Sequence, residues 1–326
     1  MRDFIQYIRD FEGKALILSH QNSDADAVAT SIALSRGIKK LNNKIKLQLG
    51  ASKSISRVGN QILEKFGENI EIDPEVDADL IIIIDTSNLN QLAPLDTVLI
   101  KSDACKVVID HHAEHEDTQS IADFYIVDEN ASSCTELIYS FFKESGIAID
   151  IEVGEAILIG ILADTAHFKF ASPKTLGIVN EILSLEGFDY YKVLKILQIP
   201  GNVSKRIAHL KAAQRINITR VNDWVVVTSY VSSYNSSAAQ SFLSLGADIS
   251  FVASIEKNAV QVSSRATPYF LGKTGIHLGR DIMPKIGRII NGGGGGHAGA
   301  AGAKGEGKDV EDILKKCVGI VAEELS

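Results

Sequence analysis

Carboxylate and imidazole groups follow three short apolar segments of the chain, and one further carboxylate follows a longer apolar segment downstream. This pattern is suited to holding metal ions. If these groups meet at one place, they repel one another and raise each other's pKa values unless cations offset the charge. Mixed imidazole and carboxylate ligands suit Mn²⁺ better than Mg²⁺, and their number suits two ions, with Mg²⁺ or Co²⁺ as substitutes. Zn²⁺ is an alternative that usually takes fewer ligands, and a single acid in such a place is often only a turn former. The groups are His20, Asp24 and Asp26 after residues 15–19, Asp85 after 80–84, Asp110, His111 and His112 after 107–109, and Asp164 after 152–163.

The segments that precede these groups predict the elements that position them. They are too short for helices and rich in Leu, Ile and Val, which is typical of buried strands. Turn and helix signals follow each one, so strands alternate with helices as in a parallel α/β sheet. Ligands of such sheets gather at the carboxyl ends of the strands. Asp164 directly follows a predicted buried helix over 152–163. The negative end of the helix dipole lies there and favours a neighbouring cation.

Length and charge predict two domains. The 326 residues exceed the roughly 100–200 of one domain. Residues 1–199 carry 31 acidic and 18 basic side chains, whereas residues 200–305 carry 4 and 12. An acidic first domain suits cations and a basic second domain suits an anionic substrate. The net charge of −8 opposes wrapping of long duplex nucleic acid.

We therefore predict an α/β protein in three parts. Residues 1–195 form a parallel-sheet catalytic domain with flanking helices, and residues 196–216 form a helical linker with a break at residues 199–201. Residues 217–326 form a smaller α/β substrate-binding domain with strands over 224–230, 251–255 and 259–264. Asn258 is the predicted turn between the last two strands, and a closing helix covers 310–325.

Cellular location is predicted from what the sequence lacks. The longest aliphatic run, residues 80–84, is far below the roughly 20 residues of a membrane span. The N-terminus has no uninterrupted apolar region like that of a secretory signal. Three cysteines without CxxC spacing argue against a disulfide framework and a zinc knuckle. A cytoplasmic protein without membrane partners is expected.

A run of five glycines at residues 292–296 is followed by His297 and small apolar residues. Such a run alone favours a flexible linker. The small residues that follow indicate tight backbone packing beside a ligand, where the bare amides of a loop can face an anion. Arg265, in a predicted strand, would by itself be an ordinary solvated residue. Ser133 precedes a predicted helix as a candidate cap or substrate contact.

Taken together, these motifs resemble those of the DHH phosphoesterase superfamily. His20-x3-Asp24-x-Asp26, Asp85 after an apolar strand, Asp110-His111-His112 and Ala163-Asp164-Thr165 are similar to its four motifs, and residues 292–302 resemble the signature of the DHH-associated substrate domain. The resemblance implies that His20 and Asp24 hold one Mn²⁺, that Asp26, His111 and Asp164 hold a second, and that Asp85 bridges them. It further implies that Asp110 fixes an imidazole tautomer, that His112 faces the scissile phosphate, and that Arg265 with a loop at Gly294, Gly295, Gly296 and His297 grips the substrate. Ser23 and Ala166 depart from the family pattern, which commonly has Pro and Gly there.

The resemblance also implies a reaction. We expect a Mn²⁺-dependent phosphodiesterase or exonuclease that hydrolyses short single-stranded oligonucleotides by two-metal activation of water, as nanoRNases do. Further expected substrates are 3′-phosphoadenosine 5′-phosphate and linear dinucleotides derived from cyclic dinucleotides. The alternatives are a RecJ-like single-strand exonuclease, which usually carries additional binding modules, a manganese pyrophosphatase, whose basic Ser-Arg-Lys-Lys-like motif is absent here, and a non-catalytic replication scaffold, which would have lost ligands. The sequence leaves a homodimer open.

Overall fold

A computed structural model describes residues 1–198, 202–256, 259–307 and 309–326. Its contacts divide the chain into two compact units, Met1–Ile199 and Pro200–Ser326. The predicted helix break at residues 199–201 and the predicted turn at Asn258 lie outside the described residues. No helix in the described part of the chain is long and apolar enough to cross a membrane.

The first unit is built on a six-stranded parallel sheet, as predicted, in the order β3-β2-β1-β4-β5-β6. The central strands are almost entirely aliphatic and buried on both faces, which is typical of parallel sheets covered by helices. Its strands are β1 Lys14–Ser19, β2 Lys46–Ala51, β3 Glu71–Ile72, β4 Leu80–Ile84, β5 Cys105–Asp110 and β6 Phe124–Val127. Its helices are α1 Arg2–Asp10, α2 Ala25–Leu41, α3 Arg57–Phe66, α4 Asp96–Lys101, α5 Glu116–Ile121, α6 Cys134–Ser145, α7 Ile151–Asp164, α8 Pro173–Leu183 and α9 Tyr190–Leu197, with a 3-10 helix at Leu89–Leu92.

Two hydrophobic layers enclose this sheet. On one face, Ile17 and Ile82 pack with residues of α2, α6 and α7 in the larger core. On the other face, Leu18 and Ile83 pack with Leu92 and Leu99 of the 3-10 helix and α4. The strand order reverses direction between β1 and β4, which is the position where open α/β sheets bind ligands beyond the carboxyl ends of their strands.

The second unit contains a mixed six-stranded sheet in the order β11-β12-β10-β9-β8-β7, in which only β8 and β9 run parallel. The predicted α/β class is therefore correct for both units. Its strands are β7 Asn217–Val221, β8 Trp224–Tyr230, β9 Ile249–Glu256, β10 Ala259–Ala266, β11 Gly293–Gly296 and β12 Ala300–Glu306. Its helices are α10 Val203–Gln214, α11 Asn235–Ser244, α12 Pro268–Thr274, α13 Met283–Ile289 and α14 Val310–Glu324, with a π-helical turn at Leu278–Ile282.

Helix α10 is part of the second unit, and this differs from the predicted linker over 196–216. Ala212 is fully buried in a cluster with Val227 and Phe242. The Ser229 hydroxyl donates to the Ala212 carbonyl at 2.7 Å. The small residues of α10 thus pack on the second sheet, a contact that the basic helical pattern did not reveal.

The glycine run forms a strand, so the predicted loop is wrong. Gly293–Gly296 pairs antiparallel with β12, and residues 297–299 form the turn between the two strands. A Cβ on Gly294 would lie 2.0 Å from the Met283 carbonyl oxygen, and one on Gly279 would lie 2.0 Å from that of Gly296. The glycines therefore allow the backbones of β11 and the 278–289 helical segment to touch.

Candidate metal centre

The predicted ligands of the first unit converge at the carboxyl edge of its sheet. His20 directly follows β1, Asp85 directly follows β4, and Asp110 is the last residue of β5. Since β4 lies between β1 and β5, Asp85 stands between the other two groups. The site thus occupies the switch point of the sheet.

Asp24 joins this edge to helix α2. As the N-cap of α2, its Oδ1 accepts from the Asp26 and Ala27 amides at 3.0 and 3.1 Å. Burial and the nearby charge of Asp85 raise its pKa. The turn-forming role that competes with metal binding is therefore present, but it occupies only one carboxylate oxygen.

Asp26 lies fully buried at the N-terminus of α6. Its Oδ2 accepts from the Cys134 amide at 2.6 Å, and its Oδ1 accepts from the Thr135 amide and hydroxyl at 3.2 and 3.0 Å. Free amides at a helix N-terminus stabilise a carboxylate. Burial nevertheless raises the pKa of Asp26 well above its ordinary value, and Asp85 and Asp164 add to the shift.

Asp85 directs its two carboxylate oxygens to two different imidazoles. Oδ2 is 3.7 Å from His20 Nε2, and Oδ1 is 3.4 Å from His111 Nε2. The residue has a left-handed backbone with φ of 50°, an unfavourable conformation that is concentrated at functional sites. Burial opposes ionisation, but His111 and His20 lower the pKa of Asp85 below its ordinary value.

His111 faces three carboxylates through one nitrogen. Its Nε2 is 3.1 Å from Asp164 Oδ2 and 4.0 Å from Asp26 Oδ2, besides the contact with Asp85. Burial opposes protonation, but Asp164 and Asp85 raise the pKa of His111 to about 11. Similarly, Asp85 and the Gln21 carbonyl outweigh burial and raise the pKa of His20 to about 9.

Two atoms at the centre of the site test whether it suits metal ions. Asp85 Oδ1 and His111 Nε2 are both buried, and neither has a hydrogen-bond partner among the described residues. Buried polar atoms rarely remain unpaired in folded proteins. Carboxylate oxygen and imidazole nitrogen are donors that Mn²⁺ accepts, so these residues suit a divalent cation.

Ligand atoms close enough to share an ion form three overlapping sets among the described residues. Two of them, His20 with Asp24 and Asp85, and Asp26 with His111 and Asp164, each offer one imidazole and two carboxylates, and these are the two ligand sets that the motif resemblance implies. The third set is Asp85, Asp110, His111 and His112, and it joins Asp85 to His111.

Asp110 orients His112. Its Oδ1 accepts from His112 Nδ1 at 2.8 Å and from the His111 amide at 2.8 Å. This hydrogen bond to Asp110 raises the pKa of His112. The side chain of His112 is half exposed.

Sequence reasoning missed the residues that hold Asp26. A Cβ on Gly160 in α7 would lie 2.2 Å from Asp26 Oδ1 and 2.4 Å from Thr135 Oγ1. Gly160 therefore leaves the space that this carboxylate occupies. The only available signal was a glycine inside an otherwise aliphatic helix, where glycine is unfavourable.

Ser133 does not lie where a substrate can touch it. It is fully buried, and its hydroxyl is 2.9 Å from that of Thr135, which holds Asp26. Nor does its side chain cap α6, although it is the N-cap residue. The predicted substrate contact is thus corrected to a supporting position beneath the site.

The predicted substrate residues of the second unit lie close together. Arg265 on β10 pairs with Ala300 on β12, and the Ala266 amide donates to the Gly299 carbonyl at 3.1 Å. The Arg265 guanidinium donates to Ser236 Oγ and the Ser264 carbonyl at 2.6 and 2.8 Å. His297 is exposed at the turn that follows β11. Arg265 and this turn therefore occupy one end of the second sheet.

A doubly wound parallel sheet with a carboxylate and imidazole cluster at its switch point, followed by a mixed-sheet unit, defines a two-part α/β protein with a candidate metal centre. Residues 14–161 match the DHH family, N-terminal domain, and residues 226–323 match the DHHA1 domain. The chain belongs to the DHH superfamily of phosphoesterases, which are hydrolases of phosphate esters.

Individual relatives differ in their sequence identity to this chain and in the share of each chain that the match covers. The uncharacterized protein MJ0988 of Methanocaldococcus jannaschii is 33% identical over 99% of this chain and 98% of its own length. A probable manganese-dependent inorganic pyrophosphatase of Streptococcus mutans is 27% identical over 60% of this chain and 63% of its own. The bifunctional oligoribonuclease and PAP phosphatase NrnA of Bacillus subtilis is 30% identical over 42% of this chain and 46% of its own. The matches to the two named enzymes thus span less than two thirds of their lengths.

Among solved structures, an exopolyphosphatase-related protein from Bacteroides fragilis superposes with a TM-score of 0.63. The alignment covers 99% of this chain and 95% of that one, at 17% sequence identity. The similarity supports the two-unit fold.

Proposed function

We propose that the chain is a Mn²⁺-dependent phosphodiesterase that hydrolyses short oligonucleotides through two ions held at the carboxyl edge of the first sheet. Further substrates in this proposal are 3′-phosphoadenosine 5′-phosphate and linear dinucleotides. The observation that carries the proposal is the position of Asp85, whose two oxygens face the two ligand sets. A carboxylate placed in this way can serve two ions at once.

Bound divalent ions would supply Lewis acidity that activates water and stabilises the charge developing on phosphorus and on the leaving oxygen. The protein supplies the remaining functions. Asp110 keeps the His112 Nδ1 proton on its own side, so that Nε2 is directed to the phosphate or the leaving group. Asp26 and the α6 N-terminus fix the floor of the site.

Support for a nucleotide substrate comes from the relatives and from the DHHA1 match. NrnA proteins of Bacillus subtilis and Thermus thermophilus are described as oligoribonucleases and PAP phosphatases. The second unit, which matches DHHA1, contains Arg265 and the exposed His297 turn as groups that can contact an anion. The pyrophosphatase relatives make inorganic pyrophosphate the competing substrate.

The proposal is tested by incubating the protein with Mn²⁺ and, separately, the dinucleotide pApA, longer single-stranded RNA and DNA, 3′-phosphoadenosine 5′-phosphate, and pyrophosphate. We expect rapid turnover of pApA. Turnover of pyrophosphate alone, or of none of these, would contradict the proposal.

Asp85→Asn tests the site assignment itself, because it removes a charge but little volume. We expect metal content to fall and hydrolysis to drop by more than the roughly 100-fold that loss of an outer-shell partner costs. Asp117→Asn, on the exposed surface of α5, is the matched control. Full activity of Asp85→Asn would remove this residue from the centre.

A further inference from the structure

The segment that follows Asp164 has an unusual backbone. Ala166, His167 and Phe168 adopt successive left-handed conformations with φ of 48°, 58° and 70°. This conformation is unfavourable for residues with a Cβ, and it occurs mostly as single residues. A run of three beside a candidate metal ligand is backbone strain of the kind found at active sites.

Hydrogen bonds to the last turn of α7 hold this segment in place. The His167 amide donates to the Leu162 carbonyl at 2.9 Å, and the Phe168 amide donates to Thr165 Oγ1 at 2.9 Å. The Phe170 amide donates to the Thr165 carbonyl at 3.0 Å. Phe170 is therefore fixed to the residue that directly follows Asp164.

The two phenylalanines of the segment have different environments. Phe168 is partly buried and packs on the core of the first unit, so it serves the fold. Phe170 has 66% of its surface exposed, and the ammonium of Lys169 lies 5.3 Å from its ring centre. A solvent-exposed aromatic ring thus stands on a backbone that is hydrogen-bonded to Thr165, the residue after the candidate ligand Asp164.

We propose that Phe170 is the stacking platform for a nucleobase next to the scissile phosphate. This inference rests on the proposed function and adds the part of the substrate that the first unit recognises. Every nucleobase has a π face, so an exposed aromatic ring binds bases with little dependence on sequence. The hydrogen bond to Thr165 holds the Phe170 backbone close to Asp164 in the chain, so a base adjoining a phosphate bound at that candidate ligand would be within reach of the ring.

The test compares pApA with two analogues in which one adenosine, at the 5′ or the 3′ position, is replaced by an abasic tetrahydrofuran residue. For the wild-type protein, loss of the base at one position should raise KM by about 5- to 150-fold, the range measured for base–aromatic stacking. In Phe170→Ala, KM for pApA should rise by the same factor. The difference in KM between pApA and the analogue that lacks the stacked base should then disappear. Phe170→Trp should restore it.

Two controls separate stacking from a structural role. Tyr191→Ala removes another exposed aromatic ring of the first unit, 73% exposed on α9, and should leave the KM values unchanged. The metal content of Phe170→Ala should equal that of the wild type.

The outcomes distinguish this inference from the proposed function. If wild-type protein hydrolyses pyrophosphate alone, or none of the substrates, both are overturned, and if it hydrolyses another nucleotide substrate but not pApA, only the stacking platform is overturned. If it hydrolyses pApA, but Phe170→Ala still discriminates between pApA and its analogues as the wild type does, only the stacking platform is overturned. An equal rise in KM for pApA and both analogues in Phe170→Ala would likewise overturn the stacking platform, because that result means that Phe170 supports the fold or another contact.

Discussion

His20 and His111 of the candidate centre favour the protonated form when no metal is bound. Burial opposes this, but neighbouring carboxylates raise the pKa of His111 to about 11 and that of His20 to about 9. A metal ligand must be a neutral imidazole, so a cation has to displace these protons. Binding of a metal ion at this site would therefore be coupled to proton release.

This coupling predicts how metal affinity depends on pH. Because the protonated forms persist up to the raised pKa values, Mn²⁺ affinity should rise through pH 6–9, by about tenfold per pH unit for each proton displaced. Calorimetry in buffers of different ionisation enthalpy should detect proton release at pH 7.5. His115→Ala, an imidazole in an exposed position, should not alter it. An affinity that levels off above pH 7, as for an imidazole of ordinary pKa, would contradict the prediction.

At the scale of elements, the packing of α7 against α2 and α6 determines where Asp26 lies. Gly160→Ala should displace this carboxylate, because the new Cβ would lie 2.2 Å from Asp26 Oδ1. We expect weaker Mn²⁺ binding and a loss of about 1–3 kcal/mol in the free energy of unfolding, the usual cost of overpacking. Urea unfolding and metal titration measure the two effects.

Gly177→Ala in α8 is the matched control for Gly160→Ala. A Cβ at Gly177 would meet no atom within 4 Å. Since alanine favours helices, this control should gain about 0.5–1 kcal/mol of stability without a change in metal binding. If both variants behave alike, Gly160 does not shape the site.

Two neighbouring glycines of strand β11 differ in the space available for a side chain. A Cβ on Gly294 would lie 2.0 Å from the Met283 carbonyl oxygen, whereas one on Gly293 would meet nothing within 4 Å. Gly294→Ala should therefore lower the free energy of unfolding of the second unit by about 1–3 kcal/mol. Gly293→Ala should change it by less than about 0.5 kcal/mol. Equal effects in denaturant unfolding would show that backbone contact is not the reason for glycine at Gly294.

For the whole molecule, each unit has a hydrophobic core of its own. Ile17 and Ile82 belong to the core of the first unit, and Phe251 and Val262 to that of the second. All six proposed metal ligands lie in the first unit. A ligand stabilises the part of a protein to which it binds.

Calorimetric unfolding should therefore show two transitions. Mn²⁺ at about 100 times its dissociation constant should stabilise the transition of the first unit by about 2.7 kcal/mol and leave the other unchanged. Asp85→Asn should remove most of this metal effect. A single transition that shifts as a whole with Mn²⁺ would show that the units unfold together.

The sequence by itself determined the first sheet and the residue types at its edge. Runs such as residues 80–84 are too short and too β-branched for helices, and parallel strands bring their carboxyl ends to one edge. His20, Asp85 and Asp110 directly follow or end such strands, so their convergence could be predicted from order alone. Helix α7 ending at Asp164 was predicted for the same local reason.

Only the tertiary structure decided how these groups are held. Asp26 and Thr135 are 109 positions apart, and the space between them depends on Gly160 from a third helix. The burial of Ser133 likewise depends on packing with other segments, and the strand formed by Gly293–Gly296 depends on pairing with β12 and on backbone contact with the 278–289 segment. Local pattern specifies which elements form, because it reflects backbone propensity and periodic burial. The fit between elements depends on side-chain volumes and backbone distances that no single segment contains.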